Sequence, residues 1–557
     1  MIESMSYKRR RMKNKFDNLF LHPSVCEEAS QTQMILDQNL IFWSGFSAKV
    51  RFEMEENMKP NILYIMSDDH AANAISYYNS ILAEVFQTPN LDRIGKEGCR
   101  MDAYCATNAI CTPARASIMT GQYGHVNGVR TLADNWDPCT EYNLASLLHE
   151  DGYQTAMFGK WHLGCDPVGF DSYQYLTTEE DIECTDKVGE QGVYFNPTFK
   201  DKEKGYIHEE GYVTDLITEK TNNWIENRDK DKPFFMMCHH KAPHDFWEFA
   251  QRHEHLFDGV DIPVPESLFE DKKHRSEATR EYGSSVTPRN KIRSLYEDFC
   301  KEDYVTGPLV GTENLTFEEK GYAAYQKYLK DYLRTVAGID DSVGSILATL
   351  EKEGILDDTI VIYTSDQGMF LGEHDYQDKR WSFEESVRTP MMVRYPKEIP
   401  AGTVCSELMA NIDLAQTLLD YAEVDELEGM QGFSCRDMIA GKKQETLHEG
   451  IYFRYWMHRA HRHDNPAHYG IRTKEYKLTF YYGRPLDILG ALPENSPVGY
   501  ELYDLVNDPQ ELHNLYGKEE YKEVAQQLKA QLKALKEQYG DTDEQYPEVL
   551  ELVRQYE

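Results

Sequence analysis

The residues best equipped for chemistry lie just past short apolar runs. Ile62-Leu-Tyr-Ile-Met66 ends in Ser67-Asp68-Asp69-His70, and Thr359-Ile-Val-Ile-Tyr-Thr364 ends in Ser365-Asp366-Gln367-Gly368. Asp68, Asp69, Asp366 and the amide oxygen of Gln367 are hard oxygen donors, which suit Ca2+ or Mg2+ rather than zinc. In Cys111-Thr-Pro113-Ala-Arg115, Pro113 suits a first helical turn. Cys111 would then stand at a helix N-terminus, where free backbone N–H groups favour a bound anion. Lys160-Trp-His162 alternates so that both polar side chains leave one face of an extended segment. His244 follows Pro243 past the apolar run Phe234-Phe-Met-Met-Cys238, and Lys379 sits between Asp378 and Arg380. Taken singly, a Cys is a small buried hydrophobe and a Lys or His a satisfied polar group. Two acidic clusters at like strand ends, with cationic groups to spare, describe instead a metal-assisted pocket for an anion.

The elements that must position these groups follow from the same runs. Continuous apolar stretches of this length read as strands buried in a parallel sheet. Ligands of open α/β sheets gather beyond the carboxyl ends of strands, so clusters far apart in sequence can share one site. Leu333, Val336, Ile339, Val343, Ile346 and Leu350 recur at helical spacing and stop at Gly354, giving an amphipathic helix that feeds the second strand. Residues 255–325 are polar and read as an excursion that either encloses a substrate or decorates the surface. After about residue 440 come short strands, Tyr469-Gly-Ile-Arg-Thr473 and Tyr476-Lys-Leu-Thr-Phe480, and a helix from about Lys518 to Tyr539. The division expected is an N-terminal extension over 1–57, disordered or an over-long start ahead of Met54 or Met58, then a catalytic domain over 58–440 and a smaller α+β subdomain over 441–557.

The 557 residues are 41% hydrophobic, enough for a large core, and exclude a peptide hormone or disulfide mini-protein. Lys and Arg number 59 against 95 Asp and Glu, a net charge of −36 that repels polyanions. No nucleic-acid partner is expected, and an anionic substrate would need a local positive pocket. Eleven cysteines, an odd number without a CxxC pair, disfavour a disulfide framework and fit a reducing compartment. No run has the length of a membrane span and no signal peptide is evident, so no membrane partner is expected and the location reads as cytoplasmic.

The string Cys111-x-Pro113-x-Arg115 with Thr120-Gly121 resembles the sulfatase signature, in which this Cys is oxidised to formylglycine. Similar segments follow in the family's order: Pro60-Asn-Ile through Asp69, Gly159-Lys160-Trp-His162-Leu-Gly164, Ala242-Pro243-His244, Thr364-Ser-Asp366-Gln367-Gly368, Asp378-Lys379-Arg380, and Glu501-Leu-Tyr-Asp504-Leu505 with Asp508-Pro509. The resemblance implies an alkaline-phosphatase-like α/β fold, a large mixed, mostly parallel sheet sandwiched by helices, with a smaller C-terminal α+β domain. It implies a metal site of Asp68, Asp69, Asp366 and Gln367 with the modified Cys111, Ca2+ being expected and Mg2+ the alternative. Many sulfatases carry Asn or His where this chain has Gln367. The hydrated aldehyde would present two hydroxyls, one to attack sulfur and one to expel sulfate, with Arg115, Lys160 and His162 holding it. His244 would be the general acid on the leaving alcohol, and Lys379 would neutralise sulfate oxygens. A formylglycine-generating enzyme is implied as maturation partner.

The substrate expected is a sulfated saccharide of the glycosaminoglycan or mucin type. The segment from Tyr455-Trp-Met-His458-Arg459 through Arg472-Thr473, dense in aromatic, His and Arg side chains, would suit a carbohydrate subsite. Choline sulfate is a smaller alternative. A phosphonate or phosphate monoester hydrolase of the same fold, or a sulfated-glycan binder with Cys111 unmodified, are the competing functions.

Overall fold

The computed structural model describes residues 59–137, 143–177, 191–442 and 446–556; the expected N-terminal extension lies outside them. At its centre the strands Asn61–Ser67, Thr359–Ser365 and Phe234–His239 run parallel, with Gln154–Gly159 and Ser172–Thr177 continuing the same sense beyond Phe234–His239. A ten-stranded mixed sheet is completed on one side by Met391–Arg394 and Cys99–Met101, joined antiparallel, with Thr403–Cys405 parallel to Cys99–Met101 at the edge, and on the other side by the antiparallel strands Thr198–Asp201 and Gly205–His208. Every residue of both apolar runs is buried because each face of the sheet is covered. Ile62, Tyr64 and Met66 pack with Ala116, Ile118, Leu144, Leu148, Leu414 and Leu418. Leu63 and Ile65 point the other way, onto Val213, Ile217, Ile339, Val343 and Ile346. The alternation of strand side chains thus places helices Cys111–Thr120, Leu144–Glu150 and Asp413–Tyr421 on one face, and Val213–Asn227 and Phe317–Lys352 on the other.

Register does the positioning. Ser67 pairs with Ser365, so Asp68 and Asp366 leave adjacent strands side by side. Gly159 pairs with His239, which carries Lys160 to the same edge.

The helix feeding the second strand begins at Phe317, well before Leu333, with a Thr316–Glu319 capping box. Its buried stripe extends back through Tyr332, Tyr328 and Tyr325, aromatic positions that the aliphatic pattern does not include, Tyr325 falling at the end of the stretch expected as a polar excursion. Residues from 255 to the start of this helix form short turns and the helix Leu295–Phe299. The C-terminal part is a four-stranded antiparallel sheet of Ile451–Tyr455, His468–Arg472, Tyr476–Tyr481 and Gly499–Asp504, with helices Lys522–Tyr539 and Pro547–Gln555. Its core, including Tyr469, Phe480, Leu528 and Leu532, merges with Ala103, Leu408 and Ile412 of the preceding part, and Lys59–Glu557 form one compact unit. Among the described residues no helix is long and apolar enough to cross a membrane.

Candidate active site

Three carboxylates meet beyond the carboxyl edge of the sheet. Carboxylate oxygens of Asp68, Asp69 and Asp366 lie within 4.8 Å of one another, and so do an Asp68 oxygen, Cys111 Sγ and a ring nitrogen of His244, so both groups share one centre. Asp69 takes a left-handed turn, φ +65°. Helix Phe317–Lys352 braces that turn: Tyr332 Oη donates to the Asp69 carbonyl at 2.8 Å and accepts from Ala71 N–H at 2.9 Å.

Each carboxylate has a cation. Lys160 Nζ meets Asp68 Oδ2, Lys379 Nζ lies 2.6 Å from Asp69 Oδ2, and Arg115 grips Asp366 Oδ2 through Nε at 3.0 Å and Nη2 at 2.9 Å. Burial nevertheless pushes Asp69 up to about 7, Lys379 opposing the shift and the Asp366 and Asp378 charges adding to it. Burial also drives Lys160 well below the ordinary lysine range. For Lys379 the cost of burial is outweighed by Asp69, Cys111 and Asp378, and its ammonium is held above the usual value.

The centre suits a divalent cation by its donors. Gln367 gives its Nε2 to Asp69 Oδ1, while its Oε1 is buried with no hydrogen-bond partner. An orphaned amide oxygen among three crowded carboxylates is the hard-oxygen set that Ca2+ or Mg2+ takes.

Cys111 is the first residue of the buried helix Cys111–Thr120. Its Sγ lies 3.3 Å from Asp68 Oδ1 and 3.7 Å from Gln367 Nε2. Burial pushes the thiol well above its ordinary pKa, against the pull of Lys379. An unmodified Cys111 is therefore a protonated thiol at neutral pH, a poor nucleophile.

Above this floor opens a cavity of about 350 Å³ lined by Cys111, His162, His244 and Lys379, together with Asp378, Arg380 and His463. His244 holds its Nδ1 against Asp245 Oδ1 at 2.8 Å and its Nε2 3.7 Å from Asp69 Oδ2. Burial, then Lys160 and Lys379, lower it to about 3, so the imidazole is neutral in the free site, its Nδ1 proton on Asp245. Asp245 is held in turn by Arg293 Nη2 at 2.9 Å, and Arg293 Nη1 reaches His463 Nε2 at 2.8 Å. His463 Nδ1 completes the chain on Asp378 Oδ2 at 3.1 Å.

All the candidate site residues read from the sequence converge here, but in two layers. Cys111, His162, His244 and Lys379 face the cavity, while Asp68, Asp69, Asp366, Gln367, Arg115 and Lys160 lie in and around the floor. Arg115 is turned to Asp366 and to the Lys160 carbonyl at 2.7 Å. His239 and His240 are interior: His239 Nδ1 meets the Lys160 carbonyl at 3.1 Å and His240 Nε2 the Ser342 hydroxyl at 3.1 Å. Of the aromatic and cationic segment expected as a carbohydrate subsite, His461 and His463 line the cavity. Tyr455 and Trp456 do not: Tyr455 stacks on His468, and the Trp456 ring is covered by Arg454, 3.4 Å from its centre, which pairs with Asp541. Asp245 and Arg293 were not singled out in the sequence. Asp245 could have been found by its place next to His244; Arg293, inside the polar excursion, gave no signal.

A strand-end carboxylate centre beside a Cys in the first turn of a helix, under a cation-rimmed cavity, on a mixed sheet of this order, defines a hydrolase for esters of tetrahedral oxyanions. The family model for sulfatases matches residues 60–424, and that of the N-sulphoglucosamine sulphohydrolase C-terminal region matches 372–538. An N-acetylglucosamine-6-O-sulfatase of Bacteroides thetaiotaomicron is 38% identical over 527 residues, 88% of each chain. An ulvan-active sulfatase of Formosa agariphila is 25% identical over 504 residues, 88% of this chain and 83% of its own. A solved structure in complex with its substrate D-glucosamine-2-N,6-O-disulfate superposes with a TM-score of 0.76 at 37% identity, covering 87% of this chain and 99% of that one. The chain belongs to the sulfatase family, and is a sulfuric ester hydrolase.

Proposed function

We propose that the protein releases inorganic sulfate from the 6-position of a glucosamine or N-acetylglucosamine unit. The observation that carries this is the 38% identity with an N-acetylglucosamine-6-O-sulfatase across 88% of both chains. The cavity agrees in size and polarity: about 350 Å³ holds a monosaccharide, and Asp378, Arg380 and His463 offer donors and acceptors for its hydroxyls.

Asp68, Asp69, Asp366 and the Gln367 carbonyl would hold a divalent cation, Ca2+ on the oxygen-only donor set with Mg2+ as alternative, and the bound ion would supply positive charge against the developing anion. Cys111, oxidised to formylglycine by a generating enzyme and hydrated, would supply a geminal pair of hydroxyls, one to attack sulfur and one to expel sulfate. The chain's own groups do the rest. Lys379, on the cavity wall beside Asp69, takes the non-bridging sulfate oxygens. His244, its Nδ1 proton fixed on Asp245, presents Nε2 toward the leaving oxygen. Burial, with Lys160 and Lys379, keeps the imidazole neutral in the empty site; the arriving ester is anionic, offsets the two lysine charges and favours uptake of a proton from solvent at Nε2. Once protonated, His244 gives its Nε2 proton to the sugar alkoxide as the S–O bond breaks. Lys160 and Arg115, locked on Asp68 and Asp366, keep the floor in register.

The test is sulfate release from N-acetylglucosamine 6-sulfate by matured protein with Ca2+, with Cys111→Ala as control and a phosphate-ester panel beside it. Sulfate lost in the control supports the reading. Release of phosphate alone, or no release despite a confirmed aldehyde, overturns it.

A further inference from the structure

A second cavity, of about 290 Å³, adjoins the first. One thin partition separates them: His463 lines the first and Asp464 the second. Across the partition, Ile292 lines the second cavity, and the next residue, Arg293, contacts His463 at 2.8 Å. Arg462 Nη2 donates to the Ile292 carbonyl at 2.9 Å and ties the two segments together.

In a chain of net charge −36, four cationic side chains converge on this cavity: Lys272, Arg280, Arg289 and Lys291. Two acids line it as well: Asp464 is taken by Arg459, 2.6 Å away, and Glu281 stands exposed at the rim. Lys272 decides what the cavity is for. It is 3% exposed, and its ammonium sits 3.6 Å from the Tyr376 ring centre. Among the described residues it has no hydrogen bond or ion pair, only that ring beneath it. The nearest carboxylates, Asp375 and Glu270, act on it only from beyond pairing distance, Asp375 being held by Arg289 at 3.1 Å, and burial lowers the Lys272 ammonium well below the ordinary lysine range; a buried amine placed so is stabilised in its charged form by an arriving anion. Arg280 repeats the pattern: Nη2 donates to the Arg275 carbonyl at 2.8 Å, whereas Nε is buried without a partner. The floor is shaped for the ring that carries Lys272. At Gly283, φ +93°, a Cβ would come within 2.7 Å of Tyr376 and of Trp381.

Resting on the sulfatase reading above, we propose that this pocket takes a second oxyanion of the substrate, a sulfate or carboxylate group borne by the saccharide whose 6-sulfate is cleaved. The second group sits either on the same ring or on the adjoining sugar, and the saccharide passes over the outer rim of the partition between the cavities.

The test is calorimetric binding to the full chain carrying Cys111→Ala, with and without Lys272→Met. The three ligands are N-acetylglucosamine 6-sulfate, glucosamine N,6-disulfate, and N-acetylglucosamine 6-sulfate joined to a uronic acid. One doubly anionic ligand is expected to bind at least about tenfold more tightly than the singly sulfated sugar, and Lys272→Met to remove that preference, as loss of one charge-assisted hydrogen bond requires. The ligand preferred identifies the source of the second anion. Lys291→Ala, an exposed change without risk to folding, should reduce the same preference by about two- to threefold. Equal affinity for all three ligands, a preference that survives both variants, or a Lys272→Met effect identical on every ligand overturns the proposal. In each of those cases Cys111-intact, matured protein still hydrolyses the 6-sulfate; if it does not, the sulfatase substrate reading itself has failed and this proposal falls with it.

Discussion

Replacing His244 with Ala isolates proton donation to the leaving group. The side chain stands at the cavity edge, 12% exposed, so its loss widens the cavity without unpacking the core. Asp245 keeps Arg293 at 2.9 Å as its partner, which leaves the wall in place. What disappears is the imidazole Nε2 that lies 3.7 Å from Asp69, on a side chain that lines the cavity. A positioned general acid contributes about 10²–10⁴-fold, or about 3–5 kcal/mol, when the leaving group is a poorly departing alkoxide. A phenolate leaves without help. His244→Ala should therefore lower kcat for a sugar sulfate by about 10³-fold, yet lower that for 4-nitrophenyl sulfate by less than about tenfold. The pH profile gives a second readout. In the complex, turnover of the sugar sulfate should fall as pH rises through the His244 pKa, because the imidazolium is the active form, and the variant should lack that limb. Steady-state kinetics on both esters in matured protein decides the matter. Equal losses on the two esters, or an unchanged pH limb, would refute the assignment of His244 as proton donor.

Removal of divalent ions with a chelator should abolish sulfate release and lower the thermal midpoint, since Asp68, Asp69 and Asp366 are left crowded within 4.8 Å; Ca2+ should restore both, and unchanged melting would speak against a cation at this centre. Cys111→Ser keeps one hydroxyl and loses the geminal one, so it should transfer sulfate once and stop, read by intact mass as a stable adduct, whereas continued turnover would rule out the two-hydroxyl route. Asp541 supports a stability prediction: burial raises its pKa, but Arg454, His125 and the Tyr452 hydroxyl outweigh that and lower it from 3.8 to about 2. A depressed carboxylate stabilises above its unfolded pKa and loses that contribution as pH falls through its folded value. Between about pH 4 and pH 2 the protein should therefore lose about 2 kcal/mol that Asp541→Asn does not lose, measured as the difference in denaturant midpoints.

Much of the site could be read before any fold was known. The strands Asn61–Ser67 and Thr359–Ser365 announce themselves because both faces of the sheet are covered, which demands continuous apolar side chains. The Cys111 helix start is equally local, since Pro113 and the small residues around it set the first turn. The start of the long helix was obscured because Tyr325, Tyr328 and Tyr332 bury rings while keeping polar tips: Tyr328 Oη reaches the Phe370 carbonyl at 2.6 Å. Most of the segment from Tyr455 to Thr473 packs inward rather than onto the cavity, because Tyr455 stacks on His468 while Trp456 and Tyr469 close around Arg454, the buried partner of Asp541, contacts that composition cannot reveal.

The sequence by itself determined the residue types, the strand-end acids, the Cys-x-Pro-x-Arg motif and the need for a cationic pocket in an acidic chain. Those are properties of short windows, where spacing along the backbone already fixes direction. Only the tertiary structure decided who faces whom. The in-register pairing of Ser67 with Ser365 brings Asp68 beside Asp366. Arg115 and Lys160 turn toward the floor rather than the cavity. Arg293, from a segment with no motif, joins Asp245 to His463 and walls off a second cationic pocket around Lys272. These contacts join segments far apart in the chain, and burial decides them: once a charge leaves water it must find a partner wherever the fold supplies one.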